Sequence, residues 1–236
     1  MAGTGTGTPV SGVTTPTVSV DLWFPDVIPA AQLCPNPIIR REIVNACRDL
    51  CERTMIWTGE LDPIDIVADE PEYQLATVGA DIVGADRAQF NGKTIHPTSE
   101  TALDEDESLG DEQNTWRDKS TDIPERYFVT FDKKIRLVYT PDAALSSGLK
   151  VWAVLSPEIT AIVVPGFLWE NFKDMIADGA RGRLKSILDM PWTDLNAAGG
   201  FLQSYESQMI YAQQKKHSGF QRVKTRAIVR TRYHDF

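Results

Sequence analysis

Residues 165–215 read PGFLWENFKDMIADGARGRLKSILDMPWTDLNAAGGFLQSYESQMIYAQQK and carry the clearest structural signal in the chain. Apolar residues recur there every three or four positions, which is the period of an amphipathic helix. The stretch therefore predicts one helix from about 166 to 190 and a second from about 194 to 216. Pro191 and Trp192 separate the two helices, because proline does not continue a helix.

Glycines and a capping residue refine this prediction. Gly179 and Gly182 lie inside the first helix, where each glycine costs about 1 kcal/mol relative to alanine. We therefore expect either a kink or the close approach of another helix at these positions. Thr193 or Asp194 is the expected N-cap of the second helix, since short polar side chains accept hydrogen bonds from free backbone amides.

A third helix is predicted earlier in the chain, from about Pro37 to Trp57. Asn36 suits the N-cap and Pro37 suits the first helical position. Its expected apolar stripe consists of Ile39, Ile43, Cys47, Leu50 and Met55. The preceding segment, 21–37, contains four prolines and predicts an extended chain lying against a surface rather than a helix.

Residues between these helices predict strands and loops. Short strands are expected at 64–67, 73–78, 126–131, 134–139 and 149–155. The two at 126–131 and 134–139, joined at Asp132-Lys133, form the clearest predicted hairpin, with Ile135, Leu137 and Tyr139 on one face. An acidic loop at 104–112 holds six carboxylates in nine residues.

These elements predict an α+β protein. We expect a bundle of long α-helices formed by residues 36–57 and 165–217, with an inserted β-rich lobe at 58–164. Two arms complete the expected organisation, an extended N-terminal arm at 1–35 and a basic C-terminal docking arm at 218–236. The Gly/Thr/Ser-rich residues 1–20 have too little apolar surface to fold alone.

The charge of the C-terminal end differs from that of the rest. The chain carries a formal charge of −9, yet residues 207–234 contain seven basic residues and no acidic one. Three interpretations follow: a last strand of the β-rich lobe, a nucleic-acid arm that contacts phosphates, or an extended arm that adds to a neighbouring protein. The alternation of basic with β-branched residues favours the third interpretation.

Motifs for catalysis or cofactor binding are absent from the sequence, so we expect no enzyme and no cofactor. Cys47 and Cys51 lie one helical turn apart, but no histidine has the spacing of a partner ligand, and core packing is the favoured interpretation. The acidic loop departs from a calcium loop at its glycine and its closing glutamate, so a solvated loop is favoured over the alternative, a weak divalent-cation site, and no metal ligands are predicted. We expect no secretory signal and no membrane span.

Two segments resemble a known family. The first is FPDVIPAAQLCPNPIIRREIVNACRDLCERTMIW at 24–57, and the second is the helical pair with its Gly179-Ala180 and Met190-Pro191-Trp192 motifs. Both are similar to head-to-tail adaptor (connector) proteins of tailed bacteriophages of the podovirus type. The similarity is good over 34–57 and 165–217, and it is present only in outline over the β-rich lobe.

The resemblance implies a structural virion protein at the head–tail junction, assembled in the host cytoplasm. Such subunits form a ring, typically of twelve copies, that joins the portal protein to a tail nozzle or tail tube. DNA passes through the lumen without sequence-specific binding. The C-terminal arm docks on the portal, and we expect the contacts from Arg222, Arg226, Ile228, Arg230, Arg232, Tyr233 and Phe236. The alternatives are a DNA-binding or DNA-packaging accessory protein that uses the same basic tail, or a tail-completion protein.

Overall fold

A computed structural model of the protein describes residues 16–105, 116–117 and 119–218. Within these residues the α-helices are α1 (Phe24–Val27), α2 (Asn36–Thr54), α3 (Glu100–Asp104), α4 (Gly166–Lys185) and α5 (Leu195–Ser218). The strands are β1 (Thr17–Ser19), β2 (Thr58–Glu60), β3 (Ile64–Ile66), β4 (Glu72–Gln74), β5 (Asp81–Phe90), β6 (Lys93–Pro97), β7 (Ser120–Thr121), β8 (Arg126–Val129), β9 (Lys134–Val138), β10 (Thr140–Pro141), β11 (Leu145–Ser156) and β12 (Val163–Pro165).

The architecture is mostly a curled mixed β-sheet, half of a barrel, accompanied by the helices. Its eight strands run in the order β2-β11-β5-β6-β8-β9-β4, with β3 also paired to β11. The predicted fold class, a bundle of long helices, is therefore wrong. The prediction missed β5 and β6, which place a ten-residue strand beside β11 and join the separate strands into one large sheet.

The predicted hairpin at 126–139 is confirmed, since β8 and β9 pair antiparallel with Tyr127 opposite Leu137. Ile135 and Leu137 lie in the core of the sheet, as expected. Tyr139 does not share their face. It has a positive φ of 64° and packs against a separate small cluster that contains Trp116 and Phe128.

The N-terminal segment was predicted to be extended, and this prediction is wrong for residues 20–30. After β1, which pairs with β12, residues 20–30 form two 3-10 turns and α1, and Val20, Trp23 and Val27 lie in the helical core. Two of the prolines occupy the first positions of these short helices, where proline needs no amide partner. The indole of Trp23 donates a hydrogen bond to the Lys173 carbonyl at 3.1 Å.

Helix α2 is shorter than predicted and starts one residue earlier than expected. Pro35 takes the N-cap position, and Asn36 is the first helical residue. The helix ends where Met55 adopts a left-handed conformation and its amide bonds the Cys51 carbonyl at 2.8 Å. Met55 is therefore exposed, and the expected place of Met55 on the apolar stripe is wrong.

The close helix approach predicted at the glycines of α4 is confirmed. A Cβ on Gly179 would lie 2.8 Å from the Tyr205 ring, and one on Gly182 would lie 2.7 Å from Leu202, both in α5. A kink is also present, at Phe172, whose φ of −133° is not helical. Asp194 caps α5, since its carboxylate accepts from the Ala197 amide at 3.0 Å. Helix α4 ends at Lys185, five residues before the predicted end.

The helical core and the core of the sheet meet at α2. Trp57, three residues beyond the end of α2, packs against both. Arg48 of α2 reaches the sheet, where it pairs with Asp81 at 2.6 Å and donates to the Pro157 carbonyl. The sheet is thus fixed to the C-terminal half of α2, and the α4–α5 pair lies against the same helix.

Candidate interaction surfaces

The residues predicted to dock on a portal lie outside the described residues. This holds for Arg222, Arg226, Ile228, Arg230, Arg232, Tyr233 and Phe236, and for most of the acidic loop at 104–112. The structure does describe the segments from which the C-terminal tail and the acidic loop begin, so their anchoring points on the body are known.

The end of α5 lies against the sheet. Gln213 donates a hydrogen bond to the Arg53 carbonyl at 3.4 Å, close to the start of β2. One turn later, Lys216 Nζ lies 3.2 Å from Asp86 Oδ1 in β5. The basic C-terminal tail at 219–236 therefore starts beside the sheet and not at the far end of the helical pair.

The outer face of α5 is almost free of charge. Its exposed residues between 195 and 214 are Leu195, Asn196, Gly199, Gly200, Gln203, Glu206, Ser207, Ile210, Tyr211, Gln213 and Gln214. The single charged residue among them, Glu206, accepts two hydrogen bonds of 2.6 Å from Arg53. Because these bonds stabilise the carboxylate, the pKa of Glu206 is lowered. Charge depletion of this kind is typical of the centres of protein interfaces.

Two glycines on this face have no explanation within the described part of the chain. A Cβ on Gly199 or Gly200 would meet no atom within 4 Å, in contrast to the crowded glycines of α4. Each one costs about 1 kcal/mol of helix propensity relative to alanine. They leave a notch through which a second backbone can approach α5 closely. The sequence analysis overlooked this surface, although the run of twenty residues with one charge was visible.

The turn between α4 and α5 presents a second exposed surface. Leu188, Met190 and Leu195 are 62%, 42% and 59% exposed at this tip. Trp192 lies behind them in the helical core, and the Thr193 hydroxyl donates to the Ile187 carbonyl and fixes the turn. The tip is thus a rigid apolar projection that is continuous with the uncharged face of α5.

Negative charge is concentrated in the β-rich part of the chain. Residues 58–164 contain 21 acidic and 9 basic residues, a formal charge of −12, whereas residues 165–218 contain six of each. From Thr58 to Asp86 there are eight carboxylates and no lysine or arginine. Strands β2 and β3, which form one edge of the sheet, lie in this acidic segment.

The acidic loop begins and ends on a fixed stem. Arg117 donates to Asp104 and to Glu100, in both cases at 2.8 Å, and it stacks on the Trp116 ring. The Trp116 indole also donates to Asp104 at 2.8 Å. Hydrogen bonds from Arg117 and then from Trp116 lower the pKa of Asp104. The two ends of the loop are therefore held together by ion pairs and a stacked indole.

Cys47 and Cys51 are core residues, as predicted. Cys47 and Cys51 are fully buried among the helices, and Cys34 lies at the edge of the same cluster. Burial raises the pKa of the Cys51 thiol to about 12 and raises that of Cys47 as well. Within the described ranges, no group of three or more potential metal ligands is present. Likewise, no helix in that part of the chain is long and apolar enough to span a bilayer.

No protein-family model matches the chain, and no curated protein matches it.

Proposed function

We propose that this chain is a structural head-to-tail adaptor subunit of a tailed bacteriophage, without catalytic activity. Copies form a ring, typically of twelve, beneath the portal at the head–tail junction of the virion. The ring joins the portal to a tail nozzle or tail tube, and DNA passes through its lumen. Two separate contacts are needed for this role, one between neighbouring copies and one with the portal.

The uncharged outer face of α5 is the observation that carries the proposal. A chain with a formal charge of −9 can pack many copies side by side only where the contact itself adds little like-charge repulsion. The face offers asparagine, glutamine and serine side chains, which both donate and accept hydrogen bonds. Its two glycines allow a neighbouring backbone to come close. These properties support a contact between copies.

The basic C-terminal tail supports the contact with the portal. In this proposal Arg222, Arg226, Arg230 and Arg232 bind carboxylates of the portal, and Ile228, Tyr233 and Phe236 fill apolar pockets. The tail follows Lys216, which contacts the sheet, so the portal contact leaves from the C-terminal end of α5, while the neighbour contact uses the outer face of that helix. Acidic walls in the lumen would let DNA slide, because they repel phosphate.

The mass of the protein, measured by light scattering alone and after mixing with dodecameric portal rings, tests the proposal. We expect a stoichiometric ring of subunits on each portal. Deleting 219–236 removes no described residue and should abolish joining without unfolding the body. Normal joining by the truncated protein would show that the tail does not dock.

The same tail could instead bind DNA, as a packaging accessory protein would require. Phosphate contacts weaken by about a thousandfold or more between roughly 50 and 200 mM salt when six or more are made. A portal contact made of strand pairing and aromatic anchors should persist over this range. A protein that does not bind the portal but binds DNA at low salt, in an electrophoretic mobility assay, would favour the DNA-binding function.

A further inference from the structure

One edge of the curled sheet is unpaired. Strands β2 and β3 both pair with β11 on one side. On their other side, no strand pairs with them in the part of the chain that the structure describes. The amide of Leu61 donates to the Val151 carbonyl, and the Leu155 amide donates to the Trp57 carbonyl. Because hydrogen-bonding groups alternate along a strand, the backbone groups of Thr58 and Glu60 point outward to this free edge.

Acidic side chains beside the free edge favour pairing with a basic strand. Glu60 is exposed and Asp62 is half-buried, and neither forms a salt bridge within the described ranges, whereas Asp65 accepts hydrogen bonds from Ser146 and Ser147 of β11. Like charges placed opposite one another destabilise strand pairing, so the edge repels a copy of itself. A strand with arginines on the facing positions would instead gain both backbone hydrogen bonds and ion pairs.

The chain itself contains such a strand sequence in 219–236. Every second residue from 222 to 232 is basic except Ile228, and the residues between them are apolar or small, from Val223 to Thr231. With the two-residue period of a strand, the basic side chains share one side and the apolar ones the other. The segment holds five basic residues and one acidic residue, which complements the acidic edge.

The position of α5 brings this segment to the edge. Lys216 contacts Asp86 in β5, and β5 is separated from β2 by β11 alone. Two strand spacings correspond to about 10 Å, which three or four extended residues can span. The tail can therefore reach the edge of its own chain directly after α5 ends. Tethering at this distance gives a high effective concentration, which favours the same chain over a second copy.

We propose that, in the free subunit, residues 222–232 add as a strand to the β2–β3 edge of the same chain. The contact covers the exposed edge and holds the arginines on acidic side chains instead of leaving them available to nucleic acid. A partner that takes the tail must displace it from this edge. The inference depends on the edge, the charge pattern and the end of α5, and it does not require that the partner is a portal.

Hydrogen exchange of the full-length protein, followed by mass spectrometry, tests this contact. We expect the amides of 222–232 and those of Thr58 and Glu60, which face the free edge, to exchange at least tenfold more slowly than in an unstructured peptide. The protection should be independent of protein concentration and should decrease with added salt. Exchange of the tail at peptide rates would overturn the proposal, and so would protection that disappears on dilution, which would indicate a contact with a second copy.

A matched pair of variants tests the role of charge. The double substitution Glu60→Gln and Asp62→Gln removes two charges from the edge and should reduce tail protection about tenfold. The control, Asp69→Asn with Glu70→Gln, removes two charges from the turn beyond β3 and should leave the protection unchanged. Equal protection in both variants would overturn the proposal. Joining to portal rings is a separate measurement, so failure of the adaptor function would not be confused with failure of this contact.

Discussion

The ring of Tyr205 lies so close to Gly179 that a Cβ on the glycine would come within 2.8 Å of ring atom Cδ2. The single hydrogen of the Tyr205 hydroxyl is shared between two acceptors, the Ala46 carbonyl at 3.1 Å and the Asp49 carboxylate at 2.9 Å. One tyrosine of α5 therefore fixes the spacing of α4 and α5 and ties both helices to α2. The uncharged outer face of α5 is held on the opposite side of the same helix.

We expect Gly179→Ala to destabilise the protein and Gly199→Ala to stabilise it. Overpacking a close helix contact costs about 1–3 kcal/mol, and alanine returns up to about 1 kcal/mol of helix propensity. The free energy of unfolding should therefore fall by about 1 kcal/mol for Gly179→Ala. It should rise by up to about 1 kcal/mol for Gly199→Ala, where no atom obstructs a Cβ. Urea unfolding of both variants measures the difference, and equal changes in sign and size would contradict this account of the two glycines.

The hydroxyl of Tyr205 should make the stability of the protein sensitive to alkaline pH. Burial, and then the nearby Asp49 carboxylate, raise the pKa of this phenol well above its usual value. The stabilising contribution is fully present below the unfolded pKa of about 10. It is lost as the pH rises further, because the phenol of Tyr205 ionises in the unfolded chain but stays protonated in the folded protein.

Tyr205→Phe isolates this contribution. At pH 7 the variant should lose about 1–3 kcal/mol, because it lacks a buried hydrogen bond to a charged acceptor. Between pH 10 and 12 its free energy of unfolding should fall less steeply than that of the unmodified protein. Urea midpoints over this pH range measure both effects. Parallel pH profiles for the two proteins would show that Tyr205 does not cause the alkaline loss.

Thiol reagents should distinguish the three cysteines. Burial raises the pKa values of Cys47 and Cys51, and the thiolate is the reactive form. At pH 8 we expect labelling of the native protein to be confined to Cys34, which lies at the edge of the core with 8% of its surface exposed. Burial raises the pKa of this thiol too, but the nearby Arg41 opposes the rise. All three cysteines should react after unfolding. Mass spectrometry of labelled peptides measures the order in which the three cysteines react. Early labelling of Cys47 in the native protein would contradict its burial in the helical core.

The stem of the acidic loop should open in acid. Because Arg117 and Trp116 lower the pKa of Asp104, the ion pair is fully present above the ordinary aspartate pKa of about 4. It is lost as the pH falls through the lowered value. The indole N–H resonance of Trp116, assigned with a Trp116→Phe variant, should report this titration below pH 4. Arg117→Gln should move the titration upward, towards the ordinary value, and Asp104→Asn should abolish it. If Asp104 in the unmodified protein titrated at the ordinary aspartate pKa, the ion pair between Asp104 and Arg117 would be contradicted.

Local signals in the sequence predicted those parts of the structure that depend on neighbouring residues. The unfavourable helix propensity of the two glycines inside α4 predicted a kink or a close helix approach there. Asp194 was one of two candidate caps, with Thr193, because its carboxylate can reach a free amide. The hairpin of β8 and β9 followed from its alternation. In each case the cause lies within a few residues or on one face of an element.

The missed elements have identifiable physical causes. Buried and exposed residues do not alternate regularly along β5. Its pairing with β11 shifts register near Trp152 and Val154, and each shift interrupts the two-residue period. A signal was nevertheless present at Asn91-Gly92, where both residues have positive φ, as the tight turn between β5 and β6 requires. The turns at 20–30 depend on burial of Trp23 against α4, which is a long-range contact that local pattern cannot reveal.

The contact between copies can be tested on the outer face of α5. Gln203 lies at the centre of this face, so Gln203→Lys should place a charge without a partner inside the proposed interface. Burying an unpaired charge costs about 3 kcal/mol or more, which corresponds to roughly a hundredfold loss of association. In the light-scattering experiment with portal rings, this variant should bind sub-stoichiometrically or remain free.

Gln32→Lys provides the matched control for that experiment. Gln32 is exposed in the segment before α2, and the substitution adds the same charge away from α5. Its free energy of unfolding should be unchanged, as should that of Gln203→Lys, because surface substitutions usually alter stability by less than about 0.5 kcal/mol. Complete rings for the control together with incomplete rings for Gln203→Lys would place the neighbour contact on α5. Complete rings for both variants would require a different surface between copies, while leaving the docking role of the basic tail intact.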